Sequence, residues 1–390
     1  MIDAFDRLLA DIQELAPAIA ARAPEIEAGR RIPVDLIETL RSAGLFRMLV
    51  PKSHGGLELD LREALDIITL LCRIEGSVGW AAVIGAGSAV FPALHPRETY
   101  DEIYRHGPDV IFAASAAPMG KAEKVDGGWR VTGRWPFASG CQHADWIYGA
   151  CIMHEDGKPL PGPAEGAPLV RVAVLPARQW RIEDTWYVAG LRGTGSHHVA
   201  LDDTFVPQGY FLDMASDQSC LPGPLYYAPR QLISIMHNAV AIGIAEGALD
   251  DLVQMANSGR RQQRAATPMR ESEVFRHELG RIEADLRAAR AFHEVQMASH
   301  WRHAKAGTLN DETQLIQGIQ SSVWIATTCV RVADTCFTLG GGSALYDNSP
   351  LQRRMRDLHA AAQHFAVSQR HYGPSGTLLL DSSARSALVV

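Results

Sequence analysis

Three consecutive glycines, Gly340-Gly341-Gly342, open the segment LGGGSALYDNSPLQRRMRDLHAAAQH. Glycine leaves backbone amides open to close approach by a phosphate or a planar ring. Arg353 and the pair Arg356-Asp357 add charge, and His364 brings an imidazole seven residues after Asp357. No glutamate or aspartate occurs between Asp357 and Asp381, so nothing in that stretch can act as a carboxylate base. A second group of chemistry-bearing residues is Trp135-Pro-Phe137-Ala138-Ser139-Gly140, a hydroxyl among apolar side chains at the end of a strand-like run. Taken alone it reads equally well as a bulge beside a core tryptophan. Other signals are weaker. Gly85-Ala-Gly87 lacks the third glycine of a dinucleotide fingerprint and follows a helical stretch, so close helix packing explains it. There is no GxSxG elbow, and His293, His300 and His303 lack the Glu-x-x-His motifs of a di-iron bundle.

The elements that must position these residues change texture along the chain. Leu8, Ile12, Leu15 and Ile19 recur at helical spacing, and Pro33 opens a helix that buries Leu36, Ile37 and Leu40 and stops at Gly44. Further helices are predicted from about Leu61 to Glu75 and through Trp80 to Val90. From about Val110, short β-rich runs take over at 129–133, 145–152, 169–175 and 198–206, with a Pro/Gly loop at 157–163. These predict a small antiparallel sheet domain. Helical periodicity then returns over about 231–257, a helix of about thirty residues containing Leu279 to His293, 311–338 and 350–370. Four long helices with shorter turns predict a four-helix bundle. The expected organisation is a helical domain (1–110), a β-sheet domain (111–212) and a C-terminal bundle (213–390).

Composition excludes several classes. The 390-residue chain carries a net charge of −7 and no long basic run, which argues against nucleic acid. The N-terminus has acidic residues where a signal peptide has basic ones. No uncharged apolar run is counted near the ~20 residues that span a bilayer. Six scattered cysteines without a CxxC pair read as reduced thiols, so a cytoplasmic protein is expected.

The glycine, arginine and histidine layout resembles the C-terminal flavin-binding signature of the acyl-CoA dehydrogenase fold, and the helical–β–bundle order agrees. In the common dehydrogenases of that fold a glutamate near the His364 position abstracts the substrate's α-proton, and here it is missing. Gly133–Gly140 resembles the GRW-x-F-x-S-G pattern of the oxygenase components of two-component (group D) flavin monooxygenases, such as p-hydroxyphenylacetate and steroid-ring hydroxylases. Gly190–Ser196 with Asp202–Pro207, and Ala113–Pro118, resemble two further blocks of that family.

The resemblance implies a mainly α, acyl-CoA dehydrogenase-like fold with a central β domain. It also implies reduced FAD as cofactor, with FMN the alternative, and O2 as co-substrate. A separate NAD(P)H:flavin reductase and a homotetramer are implied as well. It assigns His364, Ser139 and Ser115 to catalysis, and Phe137, Ala138, Ser139, Arg230, Arg260, Gly340, Gly341 and Gly342 to the cofactor. A flavin C4a-hydroperoxide needs donors around it and exclusion of water, and Ser139 and His364 can donate. Phenol hydroxylases of the family often carry a histidine where this chain has Ser88, facing the substrate. A phenol of pKa ~10 is ionised about one part in a thousand at neutral pH, so losing that base forgoes roughly 4 kcal/mol. An indole ring carbon attacks without deprotonation. The expected substrate is therefore an electron-rich aromatic of the indole or phenol type, the former favoured, with Ser88 and His197 as candidate contacts. The rival reading, an acyl-CoA dehydrogenase with its base elsewhere, would have to use Glu246.

Overall fold

The computed structural model describes residues 3–216, 218–227, 229–309 and 311–380. Its first part holds α1 (Ala4–Ala21), α2 (Ala23–Gly29), α3 (Val34–Ala43), α4 (Leu61–Ile74), α5 (Gly76–Gly85) and α6 (Arg97–Ile103). Leu8, Ile12 and Ile19 of α1 are buried as their spacing requires. Gly44 closes α3 at a φ of 93°, in the left-handed region that favours glycine. The helix expected through Trp80 to Val90 is two pieces: α5 stops at Gly85, and a tighter 3-10 stretch spans Gly87–Leu94. Both flanking glycines are packing residues. A Cβ on Gly85 would lie 2.9 Å from the Phe46 ring, and one on Gly87 2.8 Å from the Met236 sulfur.

One sheet follows, built from β1 (Phe112–Val125), β2 (Gly128–Trp135), β3 (Trp146–Glu155), β4 (Lys158–Pro159), β5 (Val170–Pro176), β6 (Arg181–Glu183), β7 (His198–Pro207) and β8 (Phe211–Leu212). Its order is β6-β7-β2-β1-β3-β5-β8, with β4 on β3. The sheet is mixed, not antiparallel as the sequence suggested, because β3 runs parallel to β1. The reason is topological: β2 occupies one edge of β1, so the chain crosses over through residues 136–145 to the other edge and re-enters in the β1 direction. The expected loop at 157–163 contains the short β4 pairing.

Side chains alternate between the two faces of this sheet. Tyr148, Ala150, Val172 and Val174 join the large core shared with the helices. Ile147, Cys151, Met153, Ala173 and Leu175 form a second core with Trp135 and Trp180. Trp135 is fully buried and donates its indole N–H to the Ala150 carbonyl at 2.6 Å. Three glycines make its space: a Cβ on Gly120, Gly133 or Gly149 would come within 2.2, 2.8 or 3.1 Å of its ring. Trp135 thus pins the start of the crossover.

The remaining helices are α7 (Leu232–Asn257), α8 (Glu273–Ala306), α9 (Glu312–Gly340), α10 (Pro350–Ala361) and α11 (Tyr372–Leu380). The fourth bundle helix is shorter than expected. It ends at Ala361, and the chain turns at His364, whose ψ of 141° is extended and whose ring caps the next 3-10 turn. α7 lies at the centre, buried along most of its length. Gly243 permits its close approach to α4, since a Cβ there would meet the Thr69 carbonyl at 2.4 Å. Pro229–Asn257 and Gly76–Leu94 reach a mean hydropathy of 1.5, which the sequence count of apolar runs overlooked. In their most apolar windows 83% and 72% of the residues are buried inside the protein, so interior packing accounts for that apolarity.

The first helices, the sheet and the bundle are joined at a buried pair of carboxyl groups. Glu75 accepts the Val78 N–H at 2.7 Å and so caps α5. Asp357 of α10 accepts the Leu191 N–H of the β6–β7 connection at 2.6 Å and also faces the start of α5 at Gly76. Beside it Arg354 bonds the Cys72 and Ile74 carbonyls, each at 3.1 Å, and Asp251. Burial raises the pKa of both carboxyls, and Glu75 raises Asp357 further, up to about 7. A folded pKa above the unfolded 3.8 means the folded state binds the extra proton, so this group's contribution falls as pH rises from about 4 to about 7. Asp357→Asn keeps an acceptor for Leu191 and removes that titration. Its melting temperature relative to the wild type should therefore rise between pH 5 and pH 8; a pH-independent difference would contradict a raised Asp357.

Candidate active site

The crossover between β2 and β3 carries the Phe137–Gly140 turn, so Ser139 lies on a loop rather than on a strand. Phe137 adopts a φ of 63° and is 65% exposed as a residue, its ring edge-on to Trp186 at 6.2 Å. Ala138 is buried, and its N–H bonds the His197 carbonyl at 3.1 Å. Ser115 of β1 donates to the Pro136 carbonyl at 2.7 Å, beside the irregularity in β1–β3 pairing between Ser115 and Gly120. Its hydroxyl therefore holds the turn in place.

Ser139 is buried and sits in a chain of hydroxyls. Its Oγ lies 2.7 Å from Ser196 Oγ, which lies 2.7 Å from Thr194 Oγ1, which donates to the Leu191 carbonyl at 2.8 Å. Each hydroxyl has one proton, so the directions are linked. When Thr194 donates to Leu191, Ser196 donates to Thr194 and Ser139 donates to Ser196. Leu191 O also accepts from Trp186 Nε1 at 3.1 Å and from the Thr194 N–H at 3.2 Å. Reversing the chain costs that carbonyl only one of three donors. Ser139 is then free to donate outward to a ligand.

Trp80, absent from the sequence-predicted site, connects the parts. From α5 its Nε1–H donates to Ser139 Oγ at 3.1 Å. The same ring stands edge-on to His364 at 5.7 Å and to His237 at 5.9 Å. His364 Nδ1 accepts the Ala366 N–H at 3.4 Å. That places the ring proton on Nε2, which makes no hydrogen bond to the described residues. Burial, helped by His237, lowers its pKa to about 3, so His364 is a neutral donor across the physiological range. Trp80 and His237 carried no motif signal. The only sequence cue was that each falls in an apolar helical stretch.

The other candidates divide. Ser88 is buried in the 3-10 stretch after α5, and its hydroxyl has no hydrogen bond among the described residues. His197 is buried, and its Nδ1 accepts the N–H groups of Thr185 and Trp186 at 3.2 and 3.3 Å. That gives the ring a structural task in the β6–β7 connection. Arg230 precedes α7, and Arg260 follows it in a loop; both are exposed. The 26 residues of α7 separate them by about 39 Å. Gly341 has a φ of 62° and lies by Gln262, which donates to the Leu339 carbonyl at 2.7 Å, so the glycines and the Arg260 loop adjoin. Gly342 is open, whereas a Cβ on Gly340 would strike Leu351 at 2.6 Å, a packing reason for that glycine. This group lies near Met255, about 27 Å along α7 from His237. The structure thus forms two clusters: Ser139 and His364 at Trp80, with Phe137 and Ala138 on the Ser139 turn that Ser115 holds, and Arg260 with the glycines at the far end of α7.

Comparison with known proteins gives this geometry a context. Residues 9–96 match the acyl-CoA dehydrogenase N-terminal domain, and residues 235–369 the corresponding C-terminal domain. The chain is 34% identical over 378 residues to indole-3-acetate monooxygenase of Pseudomonas putida, covering 96% of this chain and 92% of that one. It is 30% identical over 387 residues to the flavin-dependent monooxygenase oxygenase subunit HsaA of Rhodococcus jostii, covering 94% and 96%. The structure of XiaF from Streptomyces sp., in complex with FADH2 and glycerol, superposes with a TM-score of 0.88 at 26% identity, over 96% and 95% of the two chains. The chain belongs to the flavin-dependent monooxygenases built on the acyl-CoA dehydrogenase fold, and it is an enzyme of that class.

Trp80 generates a stability prediction. Trp80→Phe keeps the ring edges but removes the donor to Ser139, and should cost about 0.5–1.5 kcal/mol in denaturant titration. Trp80→Ala leaves a cavity and should cost about 3–5 kcal/mol. Equal costs would mean that the indole N–H and ring do not act as separate parts.

Proposed function

We propose that the chain is the oxygenase half of a two-component monooxygenase. It takes reduced FAD from a separate NAD(P)H:flavin reductase and uses O2 to oxygenate an electron-rich aromatic of the indole type, with FMNH2 the alternative cofactor. The observation that carries this reading is the arrangement around Trp80: one hydroxyl that can turn outward and one neutral imidazole with its Nε2–H open, both in a buried setting. These donors fit a reduced flavin ring. The exposed Phe137 ring and the Ala138 turn would flank the bound ring. When bound, reduced flavin supplies the two electrons that activate dioxygen.

The protein's own contribution is placement and water exclusion. His364 donates from Nε2 to a developing oxyanion without giving up its second nitrogen, which caps the following turn. Ser139 donates by reversal of the Ser196–Thr194 chain while Trp80 fixes its oxygen. Ser115 holds the turn beneath them. Ser88 has no acid–base capacity near neutral pH, which suits a substrate that needs no deprotonation. The relatives include an indole-3-acetate monooxygenase, which supports the same substrate class. Arg230 anchors the near side of the cofactor. Arg260, Gly341 and Gly342 are too far along α7 to hold the same end, and they serve a neighbour's flavin in a cytoplasmic homotetramer.

The dehydrogenase reading fits less well. Glu246, its available carboxylate, is ion-paired with Arg290 and faces Arg73 at 3.9 Å, so it is committed as a counter-charge.

The test supplies reduced FAD and oxygen with indole, indole-3-acetate or simple phenols, and follows substrate mass and hydrogen peroxide. An indole product one oxygen heavier is expected, visible as blue pigment when indole itself is offered. Turnover of phenols alone would move the substrate class. No oxygenation of either, with bleaching of bound oxidised flavin by an acyl-CoA, would overturn the proposal. His364→Ala should lower the product-to-peroxide ratio by about ten-fold or more, as loss of an oxyanion donor does; an unchanged ratio would remove His364 from its role.

A further inference from the structure

His237 has no place in the chemistry just described, yet it is 3% exposed and is pressed against the residue that matters most. Its ring lies nearly parallel to that of His364, 22° between planes and 5.6 Å between centroids. Trp80 meets both rings edge-on, so three aromatic side chains from α5, α7 and the turn after α10 close on one another. His237 Nε2 lies 2.8 Å from the Ala361 carbonyl, which can only accept, so Nε2 carries the proton. Ala361 is the last residue of α10, and its carbonyl also accepts the His364 N–H at 3.1 Å. Nδ1 of His237 is then a buried lone pair without a donor among the described residues.

A buried acceptor left without a partner costs free energy, and an apolar side chain would avoid that cost. The imidazole supplies two things an apolar residue cannot supply together: a flat face against His364 and an N–H that ties down the end of α10. We propose that His237 is a positioning residue that fixes the backbone turn and ring plane of His364, so that His364 presents Nε2–H to the reaction. The tether acts three residues before His364, and the stacked face acts on the ring itself. Nδ1 of His237 is buried, which makes direct contact with a ligand the poorer explanation. Burial keeps His237 neutral near pH 7, with its pKa lowered to about 4, so the stack carries no charge at the working pH.

The inference rests on His364 being the donor assigned above, and its test separates the two. Histidine-selective nitrogen NMR on the full-length protein, without flavin or oxygen, reads each ring's tautomer. Nε2–H is expected for both His237 and His364, and Nδ1–H in either overturns the proposal. His237→Gln places an amide N–H where the tether is and should keep His364 in one tautomer. His237→Phe keeps the flat face but loses the tether, and His364 should then show mixed tautomers. In turnover with reduced FAD and indole, the Phe variant should lower the product-to-peroxide ratio by about ten-fold, the scale expected of a small misplacement, with Gln within about two-fold of wild type. Phe and Gln variants that both match wild type in tautomer and ratio overturn the proposal. Should the Phe variant not fold, the wild-type and Gln spectra decide. A wild type that shows both tautomers as expected but makes no product sinks the oxygenase reading alone.

Discussion

One buried indole holds the candidate site together. Trp80 gives its only polar hydrogen to Ser139 and its ring edge to His364 and His237, and so joins the sheet crossover to the bundle. Its own position is set by α5, whose start is capped by Glu75 and faces Asp357. Asp357 in turn holds the Leu191 amide, and the Leu191 carbonyl ends the hydroxyl chain that runs back to Ser139. The site is therefore a closed circuit: α5, the β6–β7 connection and α10 each meet the other two. The carboxyl pair is thus linked to Ser139 by two routes, one through α5 and Trp80 and one through Leu191.

This arrangement explains why the fold can trade one chemistry for another. A dehydrogenase needs an ionised carboxylate beside the substrate. Between Asp357 and Asp381 the chain has no carboxylate, and the group it sets beside Trp80 is His364, an imidazole that burial keeps neutral. Hydroxyl, indole and imidazole groups offer directed hydrogen bonds without net charge. That suits stabilising charge as it develops on oxygen rather than removing a proton from carbon. Among the described residues no charged group acts on His364, which leaves burial and His237 to set its protonation.

Much of this was legible in the sequence, and the exceptions have physical causes. The helical periodicity of the first residues and of the bundle located α1, α3, α4 and α7 to α9, because amphipathic and buried faces repeat every three or four residues. The strands were found by composition, but composition carries no direction, so the parallel β1–β3 pairing could not be read. The His364 turn was missed because Ala-rich sequence favours helix, while a capping ring and an extended ψ break it locally. Ser139 and His364 could be named from their motifs. Trp80 and His237 could not, since an apolar tryptophan and a histidine in apolar helices look like core. Gly340 sits in the glycine motif yet is explained by Leu351, a contact no local pattern announces.

The most direct measurement is an experimental structure of the chain with reduced FAD bound under anaerobic conditions. The account predicts the flavin ring against Phe137 and Ala138, with Ser139 Oγ and His364 Nε2 both within hydrogen-bond reach of it, about 2.6–3.2 Å. A ring bound elsewhere, with Ser139 still directed at Ser196 and His364 Nε2 facing no ligand, would contradict it.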